Sequence, residues 1–216
     1  MISASLKLDL ESLMPVEQVF QKHIVDGSSH FFKNTINLPD FEYGLRYDLA
    51  QRLGISINDV IIVGSAKIGF SVKTEAFSPF DSKFIETGLE REKSDIDVAI
   101  VNRNLFDSIN REIYGLSRHF DADWIAKKWK MNYFNTTPSD LHKRYAVFLA
   151  KGWLRPDLMP LDYYRSAAWV PVVEHWREKL EKRKIALGFY SDWYYLKHYQ
   201  MDNLNRLRAK LMTLEV

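Results

Sequence analysis

Two aspartates separated by one residue are the side chains in this sequence whose types and spacing most clearly suit chemistry. Asp95 and Asp97 lie in the run 94–101, which reads SDIDVAIV. Its β-branched, apolar residues predict a strand, in which both carboxylates project from the same face. Two carboxylates this close in an apolar strand repel each other unless a cation compensates them. Oxygen ligands of this kind suit Mg²⁺ or Mn²⁺.

A glycine and a serine end an earlier apolar run, VIIV at residues 60–63. Gly64 allows close approach to the backbone, and nearby N–H groups and the Ser65 hydroxyl suit a phosphate. Lys67 from the same turn could neutralise phosphate charge, and Ser94 beside the first aspartate completes the predicted nucleotide-binding set. Together the two segments predict a site for a nucleoside triphosphate, with ATP as the expected one, and its metal.

These two segments together resemble the signature of the DNA polymerase beta-like nucleotidyltransferase superfamily. The resemblance covers about residues 55–105, and Gly69 falls where minimal members often carry a second glycine. It implies that Gly64 and Ser65 hold the triphosphate and that acidic residues bind two Mg²⁺ ions. Stand-alone prokaryotic members of similar size with an interrupted signature are often found in toxin–antitoxin or anti-phage defence systems, so the resemblance also suggests that setting.

The sequence departs from this signature in two ways. Residues 70–93 separate the motifs in place of a short loop, and they form either a flap over the site or a solvated insertion without a role in chemistry. The superfamily's third carboxylate is also missing from any obvious later strand. Asp192 shares strand parity with Tyr190 at the end of the run 185–190, so it is a candidate catalytic residue. Its alternative role is the N-cap of the last helix.

The composition bounds the class of protein. The chain has 216 residues, of which 46% are hydrophobic and 27% charged, with a net charge of +2. These are ordinary values for a folded domain. The absence of cysteine excludes disulfides and thiolate metal sites and fits a cytoplasmic protein. No apolar run approaches the roughly 20 residues that span a bilayer, so we expect no membrane partner.

Hydrophobic spacing predicts the elements that position the two motifs. Apolar residues recur every four positions over 40–53, which predicts a helix that ends at Gly54 and leads into the first strand. A further helix is expected after Asn104. We therefore expect one α+β domain over 1–216, with a small mixed sheet of nucleotidyltransferase type flanked by helices. Its predicted parts are a core of about 40–120 plus 184–191, and helical additions over 1–38 and 121–216.

Residues 121–155 interleave basic and aromatic side chains, which allows two interpretations. They either track and stack on a nucleic acid, or the aromatics are core and the lysines form the solvated face of helices. The helical spacing of Leu141 and Tyr145 favours the second. Arg155 and Asp157 follow in a proline-flanked passage, either as groups near triphosphate and metal or as an internal ion pair.

Three functional hypotheses follow. The leading one is Mg²⁺-dependent transfer of a nucleoside monophosphate from an NTP to a hydroxyl of a protein, an RNA or a nucleotide. The second is a catalytically degenerate relative that binds a nucleotide, nucleic acid or partner protein. The third is a nucleic-acid-binding module built on residues 121–155. A partner protein or a homo-oligomer fits any of them.

Overall fold

Four strands of the described residues form one mixed sheet. The computed structural model describes residues 4–12, 14–71, 78–117 and 138–214. The strands are β1 (Val60–Val63), β2 (Ile96–Val101), β3 (Trp153–Leu154) and β4 (Ile185–Tyr190). They lie in the order β1-β2-β4-β3. The β2–β4 pair is parallel and the other two pairs are antiparallel. The predicted α+β class with a small mixed sheet is confirmed.

Helices surround this sheet. The α-helices of the described residues are α1 (Ala4–Glu11), α2 (Val16–Phe20), α3 (Pro39–Leu53), α4 (Gly64–Ile68), α5 (Ser82–Thr87), α6 (Arg103–Leu116), α7 (Pro138–Ala150), α8 (Leu161–Ser166), α9 (Val170–Lys179) and α10 (Trp193–Leu214). Two π-helical segments (Gln21–Val25 and Phe31–Thr35) and three 3₁₀ turns (Ile57–Asp59, Glu90–Glu92 and Pro156–Leu158) join them. Among the described helices, none combines the length and apolar character that crossing a membrane requires.

Helix α3 leads into β1, as its spacing predicts. Gly54 ends the helix with φ of +66°, the left-handed conformation that glycine adopts at low cost. Ser56 and Asp59 then form a capping box around the following 3₁₀ turn. This local chemistry ends the helix and turns the chain into the first strand.

Alternate residues of each strand face two separate hydrophobic cores. Val98 belongs to the larger core, which α3, α6, α7 and α9 also form. Ala99 and Val101 belong to the smaller core, which α1, α2 and α10 cover. Because side chains alternate along a strand, Asp97 shares the face of Ala99. The aspartates therefore lie on the side of the sheet that the N-terminal and C-terminal helices cover in part.

The two ends of the described chain pack together on that face. The Arg208 guanidinium in α10 donates hydrogen bonds to the backbone oxygens of Leu10, at 3.1 Å, and Met14. Lys197 in α10 also forms an ion pair with Glu17 in α2. The described N-terminal segment therefore packs on its own chain.

Part of the basic and aromatic segment 121–155, namely residues 138–155, lies among the described residues. Residues 118–137 lie outside the described residues. In the remainder, Leu141 and Tyr145 are buried, and Phe148 packs against the larger core. For these positions the aromatic side chains are core residues, as the helical spacing favours.

Candidate functional site

The glycine–serine turn and the second aspartate meet at one end of the sheet. The β1–β2 register places Val63 opposite Asp97, so Gly64 follows beside the aspartate. Gly64 has φ of +67°, and a Cβ atom added to it would lie 2.4 Å from Asp97 Oδ2. That spacing leaves no room for a side chain. The backbone of the turn and the carboxylate therefore form one continuous surface, as the sequence predicts.

Lys184 lies beside the aspartates and was not identified from the sequence. Its Nζ is 2.6 Å from Asp95 Oδ2, in a pair whose side chains are 69% and 37% exposed. Desolvation lowers the pKa of Lys184, but the hydrogen bond and charge of Asp95, with the charges of Asp157 and Asp97, raise it above its usual value. Because the ammonium group is largely in water, solvent screens this pair. The Lys184 ammonium group is therefore paired with Asp95 but still accessible to solvent.

The neighbouring strand β4 decides which groups flank the aspartate pair. Its register places Ala186 beside Asp97 and Ile185 beside Ile96, so Lys184 falls next to Asp95. On β4 and the residue before it, the positions closest to the aspartates thus hold an alanine and a lysine. Among the described residues, no group of three His, Cys, Asp or Glu side chains assembles that could hold a metal. Two carboxylates still suit Mg²⁺, which completes its shell with water and phosphate oxygens.

Asp192 lies away from this pair, and its predicted catalytic role is corrected. Tyr190 pairs with Val101, four residues beyond Asp97 on β2, which is about 13 Å of strand. Asp192 Oδ1 instead accepts a hydrogen bond of 2.7 Å from the backbone N–H of Tyr194. It therefore caps the start of α10, because the parallel register carries it to the far end of β4.

Lys67 also has a different role from the predicted phosphate neutralisation. Its side chain is only 3% exposed, with Nζ 3.8 Å from Glu42 Oε1. The ammonium group donates a hydrogen bond to the backbone oxygen of Gly27. Burial lowers the pKa of Lys67, while the charge of Glu42 opposes that shift. One turn into α4, Lys67 joins this helix to the N-terminal segment instead of facing the aspartates.

Ser94 belongs to a buried network that we call the latch, formed by Asp81, Ser94 and Arg183. The Ser94 N–H donates to Asp81 Oδ1 at 2.8 Å, and Ser94 Oγ accepts from the Asp81 N–H at 3.1 Å. Arg183 binds both carboxylate oxygens of Asp81, at 2.8 and 2.6 Å. The latch ties Asp81 of the insertion to the residues that directly precede β2 and β4, which gives Ser94 a structural role in place of the predicted nucleotide contact.

Arg155 and Asp157 form an internal ion pair, which is one of the two roles that the sequence predicts for them. Arg155 donates to both oxygens of Asp157, at 3.0 and 2.6 Å. Its guanidinium also lies 5.3 Å from the Trp153 ring centroid. Asp157 adds to the negative charge around Lys184. The pair therefore borders the aspartate site without adding a carboxylate to it.

The class of protein that these observations define is an α+β protein whose mixed sheet presents an aspartate pair beside a glycine turn. No family model matches this sequence, and comparisons with curated proteins and with solved structures found no match either. The function of the protein is therefore to be inferred from the residues of the site.

Proposed function

We propose that this protein transfers a nucleoside monophosphate from a nucleoside triphosphate, with ATP as the expected substrate, to an acceptor hydroxyl. The hydroxyl oxygen would displace pyrophosphate from the α-phosphorus, and its proton would pass to water. The observation that carries the proposal is the contact between Gly64 and the Asp97 carboxylate, where an added Cβ would lie 2.4 Å from Oδ2. A magnesium-bound triphosphate needs phosphate-binding and metal-binding groups within a few ångströms of each other. The close approach of these two motifs, which are distant in sequence, supports such a site.

Each residue of the site has a defined part in this proposal. Backbone N–H groups at Gly64 and Ser65, with the serine hydroxyl, would bind phosphate oxygens at a point where no Cβ intervenes. Asp95 and Asp97 would hold Mg²⁺ or Mn²⁺, which when bound neutralises phosphate charge and polarises the phosphoryl group. The protein would contribute orientation and electrostatic stabilisation, without a covalent nucleophile.

Lys184 sets a condition on metal binding in this proposal. Its ammonium group already compensates Asp95, at 2.6 Å from Oδ2. A divalent cation must therefore displace this group or use the other oxygen of the carboxylate. Once displaced, the long side chain would remain close to the phosphates, where a positive charge favours binding.

One observation supports a second candidate function, that of a degenerate protein that binds nucleotide or a partner without turnover. Lys184 and Ala186 occupy the strand positions beside the aspartates, where a third carboxylate would complete the set. A lysine there satisfies the charge of Asp95 without any metal. In either form, the resemblance to nucleotidyltransferases suggests a cytoplasmic component of a toxin–antitoxin or defence system.

The test compares Asp97→Asn with Asp192→Asn as a matched control. Both remove one carboxylate, and asparagine retains N-capping ability at residue 192. With α-³²P-labelled NTPs, Mg²⁺ or Mn²⁺, and separate RNA, nucleotide and protein acceptors, we expect Asp97→Asn to abolish label transfer and Asp192→Asn to retain it.

Transfer that persists in Asp97→Asn would contradict the site assignment. Metal-dependent nucleotide binding without transfer to any acceptor, in the unmodified protein, would favour the degenerate function. Calorimetry of ATP binding with and without Mg²⁺ measures that second outcome directly.

A further inference from the structure

Four exposed aromatic side chains lie on the first turns of α10. This group, which we call the aromatic ridge, consists of Trp193, Tyr194, Tyr195 and Tyr199, which are 36%, 60%, 37% and 37% exposed. Exposed aromatics that cluster usually mark a binding surface, because each ring exposes a large apolar area to water. Neither the aspartate site nor the two cores accounts for this ridge.

The rings of the ridge are supported by contacts with one another and with β3. Tyr194 and Tyr195 meet edge to face, with centroids 5.5 Å apart. The Tyr199 ring lies 5.1 Å from that of Trp153. Tyr195 packs so closely on Gly152 that a Cβ atom there would lie 2.5 Å from its ring. Rings that are held in place lose little conformational freedom when a ligand stacks on them.

Cationic side chains border the ridge on the side of β3. Arg155 lies over the Trp153 ring, and Lys151 lies over the Phe148 ring, which contacts the same tryptophan. The centroid of the His198 ring lies 4.0 Å from that of the Tyr194 ring. Rings for stacking next to cations are the two features that single-stranded nucleic acids require of a protein surface.

The ridge also lies at the end of the sheet face that carries the aspartates. Trp153 stacks on Tyr190, with centroids 5.2 Å apart and planes inclined by 16°. Tyr190 pairs with Val101 on β2, four residues beyond Asp97, which corresponds to about 13 Å. The ridge and the glycine–serine turn therefore lie towards opposite ends of the same face of the sheet.

We propose that the aromatic ridge binds a single-stranded nucleic acid, whose bases stack on the Tyr194 and Tyr195 rings while Lys151 contacts its phosphates. Because Arg155 already binds Asp157, Lys151 supplies the charge that favours a polyanion over an apolar peptide or a second copy of the chain. If the proposed nucleotidyl transfer holds, the terminal hydroxyl of the strand belongs to the acceptor class that the reaction needs. That acceptor role rests on the proposed function, whereas binding does not.

The test measures fluorescence anisotropy of labelled oligouridine RNA and oligothymidine DNA, each about 12 nucleotides long, with the full chain and without NTP or metal. We expect saturable binding that weakens as salt concentration rises. The double variant Tyr194→Ala/Tyr195→Ala is expected to weaken it about tenfold or more. Tyr194→Phe/Tyr195→Phe retains both rings and is expected to bind as the unmodified protein does.

Tyr43 and Tyr47 on α3 provide the matched control. They are 59% and 43% exposed, and their rings are stacked with centroids 5.8 Å apart. Replacing both with alanine removes the same chemistry from another surface and is expected to leave binding unchanged. Circular dichroism of all three double variants checks that they fold.

Several outcomes would overturn the proposal. Equal losses in the two alanine variants, or no saturable binding to either oligonucleotide at low salt, would remove the ridge as a nucleic-acid site. Sedimentation that shows a dimer lost only in Tyr194→Ala/Tyr195→Ala, without oligonucleotide binding, would assign the ridge to self-association. Tight RNA or DNA binding that survives Asp97→Asn, in a protein without transfer activity, would uphold the ridge while the enzymatic proposal fails.

Discussion

Two ion pairs whose basic residues are adjacent in sequence have opposite environments. In the latch, Arg183 and Asp81 are 3% and 7% exposed, and the guanidinium binds both carboxylate oxygens. In the site, Lys184 and Asp95 are 69% and 37% exposed and share one short contact. Arg183 and Lys184 directly precede β4, and consecutive side chains of an extended chain point to opposite faces of a sheet. One of them therefore enters the interior and the other faces solvent.

This difference separates a structural pair from an exchangeable one. Neither partner of the buried pair can lose its counter-charge without leaving an isolated ion in a low-dielectric interior. The exposed pair is screened by water, and either group can exchange its partner at low cost. A site that must accept a divalent cation requires the second kind of pair next to its carboxylates, while the first kind holds the surrounding backbone in place.

The largest expected effect comes from breaking the latch. Arg183→Ala leaves the Asp81 carboxylate buried and without its bidentate partner, which is expected to lower the free energy of unfolding by about 3–5 kcal/mol. Lys184→Ala is the control, because it removes the adjacent exposed pair and is expected to cost at most about 1 kcal/mol. Urea denaturation followed by circular dichroism measures both. Similar losses for the two variants would invalidate the comparison.

The next effect concerns the glycine turn that faces Asp97. Gly64→Ala and Gly88→Ala both place a side chain at positive φ, +67° and +65°, but only the first meets a neighbour, since nothing lies within 4 Å of the added Cβ at Gly88. We expect each to lose about 1–2 kcal/mol of stability from backbone strain. Gly64→Ala alone should also displace the carboxylate and weaken Mg²⁺–ATP binding about tenfold or more.

Calorimetric titration of the two glycine variants with Mg²⁺–ATP distinguishes the effect of backbone strain, which both share, from that of the contact with Asp97, which only Gly64→Ala disturbs. If both variants bind the nucleotide like the unmodified protein, the closeness of Gly64 to Asp97 has no functional importance. A loss in Gly88→Ala alone would move the site to the insertion 70–93.

The smallest effect tests whether the Lys184–Asp95 pair is exchangeable. Lys184→Met removes the cation that competes for Asp95, so Mn²⁺ affinity is expected to rise by about two- to fivefold, as the weak energy of an exposed pair implies. Lys22→Met is the control, because it removes another exposed lysine, whose Nζ lies 2.7 Å from Asp9 Oδ2. Manganese titration by electron paramagnetic resonance measures both, and weaker binding in Lys184→Met would show that the lysine assists the metal.

The sequence predicted the strands and the turn that bring the glycine and the aspartate together, but not the side chains around them. The strands that carry the aspartates and the glycine turn could be predicted, because apolar runs and period-two alternation are local signals. Lys184 and the latch could not, since a lysine and an arginine in a charged turn give no periodic pattern. Asp192 was ambiguous for a different reason, because strand parity does not specify which end of a neighbouring strand a residue reaches.

By itself, the sequence determined that Asp95 and Asp97 share a face and that a glycine ends the preceding strand, because the geometry of an extended chain imposes the first and glycine's missing Cβ permits the second. Only the tertiary structure decided what stands beside them. Parallel pairing of β2 with β4 brings Lys184 to Asp95 and carries Asp192 away. That register depends on packing between segments distant in sequence, which no local pattern encodes.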